Sequence, residues 1–440
     1  MGDMDRRLTD LGTTIEKIMS IAGTPGLSLR VFHEGKTVFF VNYALLAATT
    51  GTLVEEGKLK WDTRVKGILP DWNISDETIR NQVTITDLLS HRVGFSSFRV
   101  QWKYNNLGYE LVSLVIGKVS GSSWADLLQD HYPAPNDGNV AKAYETLDDA
   151  SPVEIHTVKA TEKIMSGAAA GLRTCTKDLL VLYDAFMIAA NDQFASGNTS
   201  TPNSPLKQVS HLMSAAIPMN ARVQLPGRMG AVGCNPSLMP DGMPIIGKGV
   251  PSRLVVYRQE SLPGALSAVL LMPETRTAIV AMSNSPALND CLDWVAQLVL
   301  EEILEVPQDK RNDYVEAART SAAQTLKWYP AVKGQLSRIR KHNTSAKNLE
   351  AYTGTYRNAI NTMKMVVTVE MNSLYYAVQD DIFTWIRPRN ELVARDRWVD
   401  QGPEFWKIKF LLDEGGHVDR LNWVHDAEVT EGETFYKTAP

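Results

Sequence analysis

Cysteine is almost missing from this chain, with only Cys175, Cys234 and Cys291 among 440 residues. They lie far apart, are odd in number and form no CxxC, which excludes a disulfide-stapled scaffold and a thiolate zinc site. What remains is the expectation of buried free thiols in a reducing compartment. Long apolar runs are missing as well. The longest, Leu266 to Met272, is interrupted by Ser267 and falls far short of the ~20 residues that a bilayer span requires. The first residues, Met1-Gly2-Asp3-Met4-Asp5-Arg6-Arg7, have no apolar stretch behind them, and position 6 lacks the Ser or Thr of a myristoylation site. The expected location is cytoplasmic, with no membrane partner.

Concentrated charge of one sign is lacking too. Lys and Arg number 45 against 50 Asp and Glu, a net charge of −5, and the basic stretch Arg338-Ile339-Arg340-Lys341-His342 is short enough to be a solvated helix end. A phosphate backbone needs a basic patch, so no nucleic acid partner is expected. There is no Gly-x-Ser-x-Gly elbow, no HExxH helix and no GxGxxG. Glu34-Gly35-Lys36-Thr37 lacks the upstream Gly of a phosphate loop and reads as a hairpin turn. No metal or other cofactor is implied.

What is present is ordinary for a soluble globular protein: 44% hydrophobic and 22% charged residues, at a length that predicts two domains. Leu27 to His33 alternates with period two and predicts a strand, returning over Thr37 to Val41 after the turn. Ala44 to Glu56 predicts a helix with Gly57 as its C-cap. Apolar residues three or four apart predict helices at Ile85–His91, Asn106–Ser120 and Thr176–Ala190, and composition predicts a surface loop over Asp192–Pro205. Strands follow at Arg253–Tyr257, Ala265–Met272 and Thr277–Met282, with Pro273-Glu274-Thr275-Arg276 as the turn between the last two, and then a helix at Asn289–Glu305. Hairpin, helix and strand in this order predict an α+β domain whose antiparallel sheet is flanked by helices.

Residues 308–342 are charged and helical in pattern. From about Leu349 short strands take over: Tyr352–Tyr356, Met363–Glu370, Leu374–Val378, Phe383–Ile386, Phe405–Leu411 and Val418–Trp423, between Asn, Asp and Gly turns. That spacing predicts a small antiparallel barrel or sandwich. The expected division is a first domain over 1–307, a helical connector over 308–345 and an all-β domain over 346–440.

Several segments, in the same order, resemble the beta-lactamase-related serine hydrolases, the group that holds penicillin-binding proteins and class C beta-lactamases. Leu53-Val54-Glu55-Glu56-Gly57-Lys58-Leu59-Lys60-Trp61-Asp62 resembles the end of that family's nucleophile helix. Val83-Thr84-Ile85-Thr86-Asp87-Leu88-Leu89-Ser90-His91-Arg92-Val93-Gly94 resembles its T-I-x-D-L-L-x-H-x-x-G segment, and Tyr104-Asn105-Asn106-Leu107-Gly108-Tyr109 resembles its Tyr-x-Asn motif. Ser261-Leu262-Pro263-Gly264-Ala265-Leu266-Ser267, Met272-Pro273-Glu274-Thr275 and Ser283-Asn284-Ser285 resemble the strands beside the active site. The C-terminal strands resemble the lipocalin-like domain of fungal-type members. The resemblance implies a penicillin-binding-protein-like α+β fold, a small β-barrel after it, and acyl transfer on an ester, amide or lactam of a small molecule.

In such a site a Ser at the start of a helix loses its proton to a Lys three residues on, which one helical turn brings to the same face. A Tyr passes protons, an Asn holds the substrate, and a strand bearing His-x-Gly or Lys-Thr-Gly binds its acid group beside an oxyanion hole. Counting back from Leu53, the resemblance puts the nucleophile at Phe40 and its lysine at Tyr43, where neither residue type stands. A phenol at Tyr43, with an ordinary pKa of about 10, is a poor base. His-x-Gly falls on Arg258-Gln259-Glu260, so that Arg258 is the candidate for binding a substrate carboxylate. Tyr104 is the candidate proton-transfer residue and Asn106 the candidate substrate-binding residue, although Asn106 also suits an N-cap. The chain is shorter than the family's pattern just before Val41, between Phe95 and Phe98, and near Tyr132 and Asn220. The Ser-x-x-Lys at Ser204-Pro205-Leu206-Lys207 is no substitute, because Pro205 bars a helix interior. A hydrolase that has lost its nucleophile motif is one reading; a binding or scaffold protein, or an incompletely assembled reading frame, is the other.

Overall fold

The computed structural model describes residues 3–34, 44–72, 74, 77–93, 106–131, 140–155, 174–214, 238–262, 264–340, 348–359, 363–378, 403–425 and 429–438. Helices α1 (Asp3–Asp10) and α2 (Gly12–Ala22) lead into strand β1 (Leu27–Phe32). A run of helices follows: α3 (Ala44–Glu55), α4 (Val65–Ile68), α5 (Glu77–Gln82), α6 (Ile85–Leu89), α7 (Asn106–Ser120) and α8 (Trp124–His131). The hairpin β2 (Ala143–Thr146) and β3 (Pro152–Ile155) precedes helices α9 (Thr176–Ser196) and α10 (Val209–Leu212). Strands β4 (Val256–Leu262), β5 (Ala265–Met272) and β6 (Thr277–Ser283) come next, then helices α11 (Cys291–Ile303) and α12 (Tyr314–Ile339).

β1, β6, β5 and β4 form one antiparallel sheet in that order, with β4 at its edge. Period two explains how one sheet serves two cores. Leu266, Ala268, Leu270 and Met272 of β5 join Ile279 and Ala281 of β6 against α11. The intervening Val269 and Leu271, with Ala278, Val280 and Phe32, face the helical layer that includes α6, α7 and α9. A one-residue slip would exchange the two sets, so the register is strongly specified. β5 ends at Pro273, and Arg276 turns the chain with φ 44° before β6, as the Pro-Glu-Thr-Arg break predicts.

On the α11 side, α2 and α12 close a further core around Trp294 and Tyr314, both essentially inaccessible. Burying an aromatic ring of that kind contributes roughly 2–3 kcal/mol relative to an exposed one. Two of its buried donors are paired: Trp294 Nε1 donates to Ser321 Oγ at 3.2 Å, and Asn289 Nδ2 to the Ala318 carbonyl at 2.8 Å. α12 starts at Asp313, whose carboxylate accepts the Glu316 N–H as a cap, and it ends with Ile339 exposed, as the solvated end predicts.

Most elements follow the sequence reading, but the strand expected at Arg253–Tyr257 lies at Val256–Leu262, where it pairs with β5 as far as the Gly264 turn, and three further differences stand out. α9 runs to Ser196, into the stretch read as loop, because Gln193 is buried there and holds the loop beyond: its Oε1 accepts the Ser210 N–H and its Nε2 reaches Thr201. Gly197, with φ 72°, then stops the helix. Cys175 is exposed rather than buried, whereas Cys291 is buried and both are free thiols; Cys234 lies outside the described residues. The return strand over 37–41 and the strand Phe383–Ile386 also lie outside them.

The third difference concerns the C-terminal part. Strands β7 (Gly354–Asn358), β8 (Lys364–Glu370), β9 (Ser373–Val378), β10 (Ile408–Leu412), β11 (Val418–Trp423) and β12 (Glu433–Lys437) pair in the order β10-β11-β12-β7-β8-β9. The expected barrel is instead a curled half-barrel: among the described residues its edges, β10 and β9, do not pair with each other. Closure requires every strand to have two partners, and here the order leaves two with one. Tyr356, Val367, Phe405, Leu421, Trp423 and Phe435 fill its hollow side, and Trp423 Nε1 donates to the Phe405 carbonyl at 2.7 Å.

Candidate functional site

Three of the segments that carry the resemblance converge in one core. Thr84 caps α6 in a capping box: its Oγ1 accepts the Asp87 N–H at 3.2 Å, and Asp87 Oδ2 accepts the Thr84 N–H at 3.0 Å. Thr86 donates to the Trp61 carbonyl through both its N–H (3.1 Å) and its Oγ1 (3.0 Å), which ties the turn after α3 to α6. α7 lies against α6 where Gly108 stands. A Cβ there would sit 2.7 Å from the Leu88 carbonyl oxygen, so only glycine permits this approach. The Asn106 end of α7 is thus fixed by a backbone contact, with Leu53, Leu59, Ile85, Leu88, Val112 and Ile116 packed behind it.

Of the residues singled out from sequence, Phe40, Tyr43 and Tyr104 lie outside the described residues. α3 begins at Ala44, one position beyond Tyr43, and Asn106 is the first residue of α7; the Asn106 side chain is likewise outside the description. His91 is buried, takes a left-handed φ of 56° just after α6, and lies with its ring centroid 5.4 Å from that of Tyr109. That is a packing position. Ser204 and Lys207 sit in a turn, where Ser204 Oγ accepts the Leu206 N–H and Lys207 Nζ donates to the Ser204 carbonyl at 3.0 Å.

Arg258 occupies the middle of the edge strand β4, opposite Val269 of β5. Its neighbours Tyr257 and Gln259 point to the α11 side: Tyr257 packs in the core there, and Gln259 Nε2 donates to Asp290 Oδ1 at 2.8 Å. Arg258 and Glu260 therefore share the opposite face, toward α9. Arg258 Nε donates to Glu260 Oε1 at 2.8 Å. Burial pushes the Glu260 carboxyl up from 4.5 to about 7, against the opposing pull of the Arg258 charge and hydrogen bond. Tyr183 of α9 faces the pair; burial raises its phenol above the ordinary 10, and the Glu260 charge adds to that. Sequence reasoning named Arg258 but passed over Glu260 and Tyr183. Period two gives Glu260, since residues i and i+2 share a face, but nothing local pairs Tyr183 with it.

The loops at the Glu260 end of the sheet are held by packing and hydrogen bonds. Gly264, with φ 75°, turns β4 into β5 where a Cβ would lie 2.3 Å from the Ala143 Cβ. Asn284 accepts the Tyr144 N–H at 2.9 Å, and buried Ser285 hydrogen-bonds Thr146 at 2.8 Å, so the β2–β3 hairpin is pinned beside the β6 exit.

A helical layer against one face of an antiparallel sheet, helices against the other, and a Thr-capped helix docked on an Asn-led helix define the architecture that the resemblance implied. The family model described as Beta-lactamase matches residues 44–301, more than half of the chain, and the chain belongs to that family. A second model, "Domain of unknown function (DUF3471)", matches residues 339–437. Similar solved structures include the octameric penicillin-binding protein homologue from Pyrococcus abyssi, at 15% identity and a TM-score of 0.47, covering 98% of this chain and 99% of that one. A beta-lactamase from Sulfitobacter sp. EE-36 is 14% identical with a TM-score of 0.48, over 77% of this chain and 100% of that one. A D-stereospecific amidohydrolase from Streptomyces sp. is also 14% identical, with a TM-score of 0.46 over 66% and 98% of the two chains. No curated protein matches significantly. Among the described residues no helix is long and apolar enough to cross a membrane.

Proposed function

We propose that the beta-lactamase-related part, residues 1–307, takes a small molecule bearing an ester, amide or lactam, and that this chain as it reads carries out little or no acyl transfer on it. Membership of a serine hydrolase family supports the ligand class. Phe40 and Tyr43, at the positions counted back from Leu53, support the loss of chemistry, because neither offers a nucleophilic hydroxyl with a neighbouring amine. The observation that supports the ligand reading is β4, which presents Arg258 on the face toward α9; by the resemblance this is the residue at the family's acid-binding position. Tyr104, the proton-transfer residue by the resemblance, and Asn106, its substrate-binding residue, are the remaining site residues. We further assign residues 308–345 as a connector, residues 346–440 as a separate lipocalin-like unit, and the cytoplasm as the location.

The test is equilibrium dialysis of the full-length protein against radiolabelled benzylpenicillin. The expected result is retention that vanishes on denaturation. A label that survives denaturation in stoichiometric amount overturns the non-covalent part, and no retention overturns the ligand class.

A further inference from the structure

A hydroxyl residue stands directly before proline at five places in the chain: Thr24, Ser151, Thr201, Ser204 and Ser285. The structure separates one of them from the rest. Thr24, Thr201 and Ser285 are buried, and two of these hydroxyls are hydrogen-bonded inside, Thr201 to Gln193 and Ser285 to Thr146. Ser151 is partly exposed, but its Oγ donates to Asp149 Oδ1 at 2.5 Å and Glu154 lies three residues on. A phosphate there would stand against a carboxylate. Ser204 is partly exposed and has no such neighbour in its turn. Pro202, Asn203 and Pro205 around it are exposed, buried Leu206 anchors the turn, and Lys207 stands three residues on. Ser204 Oγ accepts the Leu206 N–H at 3.2 Å, and Lys207 Nζ donates to the Ser204 carbonyl at 3.0 Å. One N–H and one ammonium are thus already fixed on the residue that bears the hydroxyl.

We propose that Ser204 is a phosphorylation site for a proline-directed serine kinase, and that the Leu206 N–H and the Lys207 ammonium hold the phosphate once it is attached. The reaction transfers the γ-phosphoryl group of ATP. The bond from Ser204 Oγ to phosphorus forms, the bond from phosphorus to the β,γ-bridging oxygen breaks, ADP leaves, and the hydroxyl proton passes to the kinase's catalytic base. Pro205 holds the residue before it to extended backbone and presents an apolar ring with no N–H to satisfy. Lys207 gives an acidic subsite of the kinase its partner. The phosphate adds roughly −1.5 to −2 charges at pH 7, and its bonds to the N–H and to Nζ are of the charge-assisted kind. The same turn abuts α3, where a Cβ at Gly51 would lie 2.8 Å from the Lys207 carbonyl oxygen. Hydrogen bonds from Gln208 and Thr199, and then the Lys207 charge, hold the Glu55 carboxyl of α3 below its ordinary value. A phosphate on Ser204 therefore draws on a charge that α3 also uses. The proposal is independent of the ligand proposed above.

The full-length protein is incubated with a purified cyclin-dependent kinase, which takes proline after the serine and favours a basic residue three positions on, and with radiolabelled ATP. Mass spectrometry maps the phosphate. The expected result is one phosphate, at Ser204, with none at the other four hydroxyl residues before proline and none taken up by Ser204→Ala. A native protein that stays unlabelled at Ser204, or labels Ser151 as fast, overturns the site. Lys207→Gln should be labelled several-fold more slowly; an unchanged rate overturns the part given to Lys207 in recognition. Phosphorus NMR of the labelled proteins tests the hold on the phosphate. An ordinary phosphoserine gains its second charge at about pH 6, and the neighbouring ammonium should move that change to lower pH in the wild type than in Lys207→Gln. Equal titrations in the two proteins overturn the hold.

Discussion

Replacing Glu260 by Gln should make the folded protein more stable in alkaline solution than the wild type, and the gain should disappear in acid. The fold encloses this carboxyl and raises its pKa from 4.5 to about 7, burial outweighing the attraction of Arg258. Between those values the folded chain holds a proton that the unfolded chain has released. The stabilisation is complete below about pH 4.5, declines as pH rises across the window, and is lost above about pH 7. At about 1.36 kcal/mol for each pH unit, the gap corresponds to roughly 3 kcal/mol. The side chain is 14% exposed, so solvent screening takes little from that figure. Urea unfolding followed by tryptophan fluorescence, on both proteins at intervals from pH 4.5 to 8, gives the difference in stability. Contributions of the substitution that do not depend on pH cancel in the comparison. The difference should grow by about 3 kcal/mol in favour of the variant. A difference that stays constant, or that grows toward acid, refutes the reasoning.

Gly108→Ala should destabilise by about 1–3 kcal/mol although it adds helix propensity, because its Cβ would meet the Leu88 carbonyl at 2.7 Å; unfolding midpoints decide it. Thr84→Ala removes the cap of α6 and should cost about 1 kcal/mol, with Thr84→Ser recovering most of it in the same assay. Dithionitrobenzoate should modify Cys175 in the native protein, whereas Cys291, enclosed and with its thiol pushed up to about 12, should react only after unfolding; mass mapping of the labelled peptides distinguishes the two. In the C-terminal part, His425 hydrogen-bonds Glu433 at 2.7 Å and holds its carboxyl below the ordinary range. The stability this gives is present above that range and lost as pH falls through it, so Glu433→Gln should flatten the acid limb of unfolding.

Much of the fold could be read from local pattern. α3 with Gly57 beyond it, α7 from Asn106 to Ser120 and the β5–β6 pair appear where periodicity and turn residues place them, because each carries its own period and its own stop. The end of α9 could not be read so, since the polar Asn191-Asp192-Gln193 is loop-like in composition and is helical only because Gln193 is anchored from loops beyond it. β12 was missed because Glu433-Thr434-Phe435-Tyr436-Lys437 has charged ends, and Phe435 is buried only through pairing with both β11 and β7. Barrel closure is a matter of which strands pair, and strand spacing alone carries no information on it. At the candidate site the pattern ended its strand at Tyr257 and only the resemblance placed Arg258 on one, while the carboxyl hydrogen-bonded to it and the phenol opposite are set by tertiary packing.

On the function proposed above, acyl transfer cannot begin in this chain, because Phe40 and Tyr43 fall where the resemblance puts the hydroxyl and the amine. Intact-mass spectrometry after prolonged incubation with p-nitrophenyl acetate and with benzylpenicillin tests it most directly. An unchanged protein mass, with ester cleavage no faster than in buffer, is the predicted result. A stoichiometric adduct of the acyl group on any side chain would contradict it.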